Sequence, residues 1–218
     1  MLPTQPDGYL AMPATGKGST VLVLHAWWGL NDTIKAFCTR LADAGFVVFA
    51  PDLYHGQVID TIADAEARVK ALNATRTQAE TEIKTAALFL NERSGVADPD
   101  LAVIGFSLGA SYALDFASAN PEHVRSIVLF YGTGGGNFNQ SKAAYLGHFA
   151  EQDDFEPSAG VNELEEALKD AGRPVTFYRY NGVGHWFFEP DRVQAYNSIA
   201  ASLAWARTLA FLKHAPTQ

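Results

Sequence analysis

The sequence predicts an α/β fold: a mostly parallel central sheet with helices on both faces and no large lid. Three observations carry that prediction. Short apolar runs rich in Val, Ile, Leu and Phe recur along the chain, each suited to a strand buried on both faces. Between them lie stretches with apolar residues at helical spacing, and strands alternating with helices give a parallel sheet. At 218 residues and 48% apolar, the chain has the size and composition of one domain over 1–218, with no internal repeat and no polar linker to divide it.

Gly8 to Met12 reads as a short edge strand, closed by Pro13 and the glycines at 16 and 18. Thr20-Val21-Leu22-Val23-Leu24 is β-branched and apolar, a central strand. It runs into His25-Ala26-Trp27-Trp28-Gly29, a loop at the strand's carboxyl end, where open α/β sheets bind ligands. Asn31 to Ala44 reads as a helix with Ile34, Phe37, Cys38 and Leu41 on one face and Gly45 just past its end. Phe46 to Ala50 is the next strand, stopped by Pro51-Asp52, with Tyr54, His55 and Gly56 in the loop beyond. Ile62, Ala65, Val69 and Leu72 mark a helix. Thr77-Gln78-Ala79-Glu80 has a capping-box pattern that would open another, with Ile83, Ala87 and Leu90 on one face and Gly95 at its end.

Leu101 to Ile104 is a buried strand, and Leu108 to Ala117 a helix ending near Asn120-Pro121. Ser126 to Tyr131 forms a further strand. The glycines from 132 to 136 lack the order of a phosphate-binding loop and read as a plain connection, too short up to Tyr145 for a substantial lid. Tyr145 to Ala150 is a strand, Val161 to Ala171 a helix ended by Gly172, and Val175 to Tyr180 the last strand. Asp191 would cap a closing helix that runs to Lys213.

Composition excludes several functions. A net charge of −8 argues against nucleic acid, which needs a concentrated basic surface. Cys38 is the only cysteine, so no internal disulfide and no thiolate metal cluster can form. The six histidines are scattered without ligand spacing, so neither metal nor cofactor is expected. Met1 to Met12 lacks the pattern of a signal peptide, and no run approaches the roughly 18 apolar residues of a membrane span. A cytoplasmic protein is the expectation.

The chemistry centres on Gly105-Phe106-Ser107-Leu108-Gly109, set between strand and helix. That is the nucleophile elbow of an α/β-hydrolase, where a sharp turn lifts the serine hydroxyl above the sheet at a helix N-terminus. Serine needs a base within hydrogen-bond reach, and in this architecture the order is Ser, then Asp or Glu, then His. His148 lies inside a strand run, where a satisfied core histidine is the expectation, and His214 sits at the end of the closing helix. His185 follows the last strand in the glycine-rich Asn181-Gly182-Val183-Gly184 loop and is the preferred base. Glu151, Asp153 and Asp154 follow the preceding strand. Position favours Asp153 over Asp154, and the alternative for the whole run through Glu156 is a solvated acidic turn.

Several stretches together resemble the dienelactone hydrolase family over nearly the full chain. They are His25-Ala26-Trp27-Trp28-Gly29-Leu30-Asn31, Ala50-Pro51-Asp52-Leu53-Tyr54, the elbow, Phe130-Tyr131-Gly132, Phe149-Ala150-Glu151-Gln152-Asp153 and Gly184-His185-Trp186-Phe187-Phe188. The resemblance implies Ser107 as nucleophile, Asp153 as acid and His185 as base, with the backbone N–H groups of Trp27 and Leu108 as oxyanion hole. The family's founding members carry cysteine at the elbow and a glutamate that assists it, where this chain has Ser107 and Ala26. The two changes agree, since a hydroxyl has no use for a thiol-tuning carboxylate. An arginine that grips the substrate carboxylate falls at Glu189, whose negative charge would repel such a group.

The expected activity is hydrolysis of small carboxylic esters or lactones through an acyl-serine, rising with pH as His185 loses its proton. Trp28, Tyr54, Phe106, Tyr131, Trp186 and Phe187 lie near strand ends and could form an apolar pocket, although core packing also accounts for such aromatics. The competing expectation is a non-catalytic binding protein of the same fold. A peptidase or acyltransferase would need peptide-positioning or coenzyme-binding signatures, and none is recognisable.

Overall fold

A computed structural model describes residues 4–96 and 101–214. Its strands are β1 (Gly8–Ala11), β2 (Thr20–Leu24), β3 (Val47–Pro51), β4 (Leu101–Phe106), β5 (Val124–Phe130), β6 (Ala144–Ala150) and β7 (Val175–Tyr180). The helices are α1 (Asp32–Asp43), α2 (Ile62–Ala74), α3 (Arg76–Arg93), α4 (Leu108–Ala119), α5 (Ser158–Asp170) and α6 (Ser198–His214). The strands follow the order β1-β3-β2-β4-β5-β6-β7 in a seven-stranded sheet. β1 runs antiparallel to β3, with Tyr9 opposite Ala50, whereas β2–β3, β5–β6 and β6–β7 are parallel. The connection from β5 to β6 holds only the 3-10 turn Phe138–Gln140.

The chain divides into two compact units, residues 1–103 and 104–218. In the first, every residue of β2 and β3 is buried, as their unbroken apolar runs require. Asn31 caps α1 by accepting the Ile34 N–H at 3.1 Å, and Ile34, Phe37, Cys38 and Leu41 face inward. Burial pushes the Cys38 thiol well above its usual range, which makes it a small hydrophobe rather than a nucleophile.

The expected capping box at Thr77 is not formed. Thr75 alone separates α2 from α3, and its hydroxyl bonds back to the Leu72 carbonyl at 3.2 Å. With one residue breaking the helix, Thr77 already lies inside α3, where its carbonyl accepts the Thr81 hydroxyl.

In the second unit, β5 and β6 are almost wholly buried and β7 is mostly half-buried or exposed. His148 is the core histidine expected. One ring nitrogen meets the Tyr180 hydroxyl and the other the Thr208 hydroxyl, each at 2.9 Å, and burial lowers its pKa to about 3. The closing helix begins at Ser198, not after Asp191. Residues 186–197 instead form successive turns: the Arg192 N–H donates to Glu189, the Ala195 N–H to Arg192 and the Asn197 N–H to the Phe187 carbonyl. Asn197 then does the capping, accepting the Ala200 N–H at 3.0 Å. The acid at 191 pairs with its neighbour Arg192 at 2.9 Å. His214 ends α6 on the exposed surface.

Candidate active site

β4 delivers the chain to Ser107 in a left-handed conformation, φ 48° and ψ −113°, before α4 starts at Leu108. A non-glycine residue held there costs about 1–3 kcal/mol and marks a site the surroundings over-determine. Two close approaches enforce it. A Cβ on Gly105 would stand 2.4 Å from the Gly109 carbonyl oxygen, and one on Gly132 2.4 Å from the Ser107 carbonyl oxygen. Gly132, which in sequence reads only as loop, therefore leaves the space the elbow occupies. Gly132→Ala is expected to displace the elbow, lowering stability by about 1–3 kcal/mol and kcat more than about tenfold. Thermal unfolding beside ester kinetics checks both.

The Ser107 N–H donates to the Phe130 carbonyl at 2.9 Å, so it is committed to the scaffold. Leu108 is the first residue of α4, where an amide has no carbonyl one turn back to bond.

The side chain of Ser107 meets the base the sequence favours: Oγ lies 2.9 Å from Nε2 of His185. Nδ1 of His185 lies 2.8 Å from Oδ2 of Asp153 and 2.9 Å from Oδ1. A carboxylate only accepts, so the imidazole proton belongs on Nδ1 and Nε2 is left to accept the serine hydroxyl. The two partners are brought together because β6 and β7 are parallel neighbours whose carboxyl-end loops run side by side. The Glu151 N–H donates to the Tyr180 carbonyl at 3.0 Å, and the Gly182 N–H to the Glu151 carboxylate at 3.1 Å. The side chains of His185 and Asp153 are each 4% exposed, so their pairing acts in a low dielectric. Asp154, one residue on, is exposed to solvent.

Asp153 is itself held. Its Oδ1 accepts the N–H of Phe155 at 2.9 Å and of Glu156 at 2.8 Å. Glu156 is no solvated charge: its carboxylate takes the N–H of Thr133 at 2.9 Å and the hydroxyl of Thr133 at 2.7 Å. It ties the loop after β5 to the loop after β6 across 23 residues, which no local pattern announces.

The aromatics expected as a pocket divide. Phe106 and Phe187 are fully buried among other rings, Phe106 stacked on Phe130 at 4.5 Å and Phe187 against Tyr180 at 4.9 Å, so they back the site. Tyr131 is also buried, its ring 4.9 Å from the His185 ring. Trp186 keeps some exposure and meets His185 edge-on at 4.9 Å. Phe155, which the sequence did not single out, is 43% exposed and packs on both His185 and Trp186, at 5.3 and 4.7 Å.

Trp27, Trp28 and Tyr54 belong to the 1–103 unit. Trp28 and Tyr54 are core there, and Tyr54 lies between His25 and the Arg68 guanidinium. The turn carrying Trp27 is closed by the Gly29 N–H on the Ala26 carbonyl at 3.1 Å. His25 braces it, with Nδ1 donating to the Ala26 carbonyl at 2.7 Å and Nε2 accepting the Leu53 N–H at 3.3 Å. Burial keeps that imidazole neutral by lowering its pKa.

Glu189 departs from expectation. It is 0% exposed, and Oε1 accepts the Tyr131 hydroxyl at 2.7 Å. Burial pushes its carboxyl up to about 8, so near pH 7 it is mostly neutral and does not set a repelling charge at the site. Among the described residues, no group of three or more His, Cys, Asp or Glu is arranged to hold a metal ion. No helix among them is long and apolar enough to cross a membrane.

Residues 7–216 match the model of the "Dienelactone hydrolase family". The chain is 32% identical to a "Putative carboxymethylenebutenolidase" of Aquifex aeolicus (strain VF5), over 94% of this chain and 92% of the relative. It is 29% identical to a "Probable 2-oxo-3-(5-oxofuran-2-ylidene)propanoate lactonase" of Bradyrhizobium sp, over 94% and 88%. Among solved structures, that of a "Putative Dienelactone Hydrolase" from Klebsiella pneumoniae superposes with a TM-score of 0.82 at 24% identity, covering 98% of this chain and 96% of that one.

Proposed function

This chain belongs to the dienelactone hydrolase family, and from that premise we propose that it is a serine hydrolase cleaving small carboxylic esters or lactones through an acyl-serine intermediate. The observation that carries the proposal is the continuous relay from Ser107 Oγ through His185 to Asp153, with both links at 2.8–2.9 Å. As Oγ attacks the carbonyl carbon, its proton passes to Nε2 of His185, and Asp153 stabilises the imidazolium that forms. The oxyanion is met by the Leu108 N–H at the start of α4, and the family resemblance adds the Trp27 N–H as a second donor. Each donor is worth about 3 kcal/mol. Collapse breaks the C–O bond, the leaving oxygen takes the proton from Nε2, and the acyl group stays on Oγ. Water, deprotonated by the same nitrogen, then releases the acid and restores Ser107.

The lactonase relative carries in its name a lactone bearing a carboxylate. A neutral Glu189 does not oppose such an anion, so both anionic lactones and uncharged esters fit the proposal. The strained serine at φ 48° favours an enzyme over a binding protein, because strain at a reactive group is retained where it serves chemistry. A fluorophosphonate should add to the folded protein at the peptide carrying Ser107, read by mass spectrometry, and a panel of p-nitrophenyl esters and lactones should be turned over. Neither labelling nor turnover would leave the non-catalytic binding protein as the better account.

A further inference from the structure

The pair Tyr131–Glu189 takes no part in the proton relay, yet it lies directly behind it. Tyr131 follows β5 in a left-handed conformation, φ 37°, and its N–H donates to the His148 carbonyl at 2.8 Å. The residue before it accepts the Ser107 N–H. Its ring rests on the His185 imidazole, centroids 4.9 Å apart, and on Phe187 at 5.5 Å. Its hydroxyl has one acceptor, Oε1 of Glu189, in the turn that follows His185. That turn is closed by the Glu189 N–H on the Trp186 carbonyl at 2.9 Å, and Trp186 is itself left-handed at φ 62°. The second carboxyl oxygen of Glu189, Oε2, is buried with no hydrogen-bond partner among the described residues.

We propose that the uncharged carboxyl of Glu189 is a positioning residue for His185, acting through Tyr131, and that ionising it switches the site off. The proposal rests on the serine-hydrolase reading above. A neutral acid leaves one buried O–H without an acceptor at Oε2, a smaller cost than a buried full negative charge met by the single donor Tyr131 supplies. On ionisation the carboxylate must draw in solvent or turn away. Either movement releases the phenol ring that backs the imidazole, and general-base catalysis falls steeply with small displacements of the base.

The charged groups facing the carboxyl are few. Asp191 and Arg192, on its own turn, act in opposite directions and pair with each other at 2.9 Å. The Tyr131 hydroxyl from the β5 loop favours the charged form, and the charge of Asp153, from the β6 loop, acts on that hydroxyl through space. Burial outweighs them and pushes the carboxyl up to about 8. The sign follows: below about pH 8 the acid is neutral and the backing intact, and above it the charged form accumulates. Activity should therefore fall on the alkaline side.

The test is the pH profile of kcat, with p-nitrophenyl acetate and the uncatalysed rate subtracted, for wild type, Glu189→Gln, Tyr131→Phe and Ser107→Ala. Wild type should lose activity by well over about tenfold between pH 7.5 and 9.5. Glu189→Gln, which keeps the acceptor for Tyr131 but cannot ionise, should hold its plateau through that range. Tyr131→Phe should lower kcat several-fold with KM little changed, and should move the alkaline fall to higher pH, because the hydroxyl that favours the carboxylate is gone. That variant decides the matter if the Gln variant does not fold by circular dichroism. A wild-type profile flat to pH 9.5, an alkaline fall unchanged in Glu189→Gln or in Tyr131→Phe, or a folded Gln variant without activity overturns the proposal. Activity retained in Ser107→Ala would overturn the hydrolase reading as well, whereas loss there beside an unchanged alkaline fall in the Gln variant overturns only the part given to Glu189.

Discussion

Replacing Ser107 by alanine should lower kcat by about 10⁵-fold or more, with the fold and thermal stability near those of wild type. The size of the effect follows from the relay. Removing Oγ abolishes the covalent route, and His185 and Asp153 then have no nucleophile to activate. What survives is the modest rate that oxyanion donors and substrate positioning supply to bound water. The surroundings tolerate the change, since the Ser107 N–H still reaches the Phe130 carbonyl and alanine adds no atom beside Gly132. Stability could even rise slightly, because alanine keeps the backbone and loses only a half-buried hydroxyl. Steady-state kinetics with p-nitrophenyl esters read the loss, and a fluorophosphonate should leave the variant unmodified. A variant retaining a tenth of wild-type activity would place the chemistry elsewhere.

Asp153→Asn should cost about 10⁴-fold in kcat and leave KM little changed. The amide can present its oxygen or its NH₂ to Nδ1 of His185, and the two cases differ. Oδ1 of Asp153 also accepts the N–H groups of Phe155 and Glu156, so the amide oxygen is drawn to that side. Its NH₂ then faces Nδ1, forces the imidazole proton onto Nε2, and leaves no acceptor for the Ser107 hydroxyl. Asp154→Asn changes an exposed carboxylate that the relay does not touch and should stay within about twofold of wild type. Parallel pH profiles of the two variants distinguish a lost relay from a change in surface charge. Equal losses in both would show that the acid at 153 does not orient the base.

Much of this molecule is legible without coordinates. Runs such as Thr20–Leu24 and Val175–Tyr180 become strands with the predicted bounds, and α1 begins one residue after the helix start read at Asn31. The elbow is readable too, because two glycines around a serine between strand and helix leave a single sharp turn to make. These signals are local, and local patterns decide which backbone conformation each segment prefers. They fail where neighbouring segments compete for the same few residues. The closing helix starts at Ser198 because Glu189, Arg192 and Asn197 are engaged in backbone turns. Thr77 loses its capping role because Thr75 ends α2 too late to leave room for one.

The expected nucleophile, the order of the three groups and the strands before them are readable from the residues alone. Position favours Asp153 over Asp154 in the sequence, but only tertiary structure turns that carboxylate toward an imidazole 32 residues away. Only tertiary structure made Glu156 a clamp and Glu189 an uncharged acid. A carboxyl's charge is a property of its surroundings, and Glu189 is fully buried against a hydroxyl, that of Tyr131, 58 residues before it.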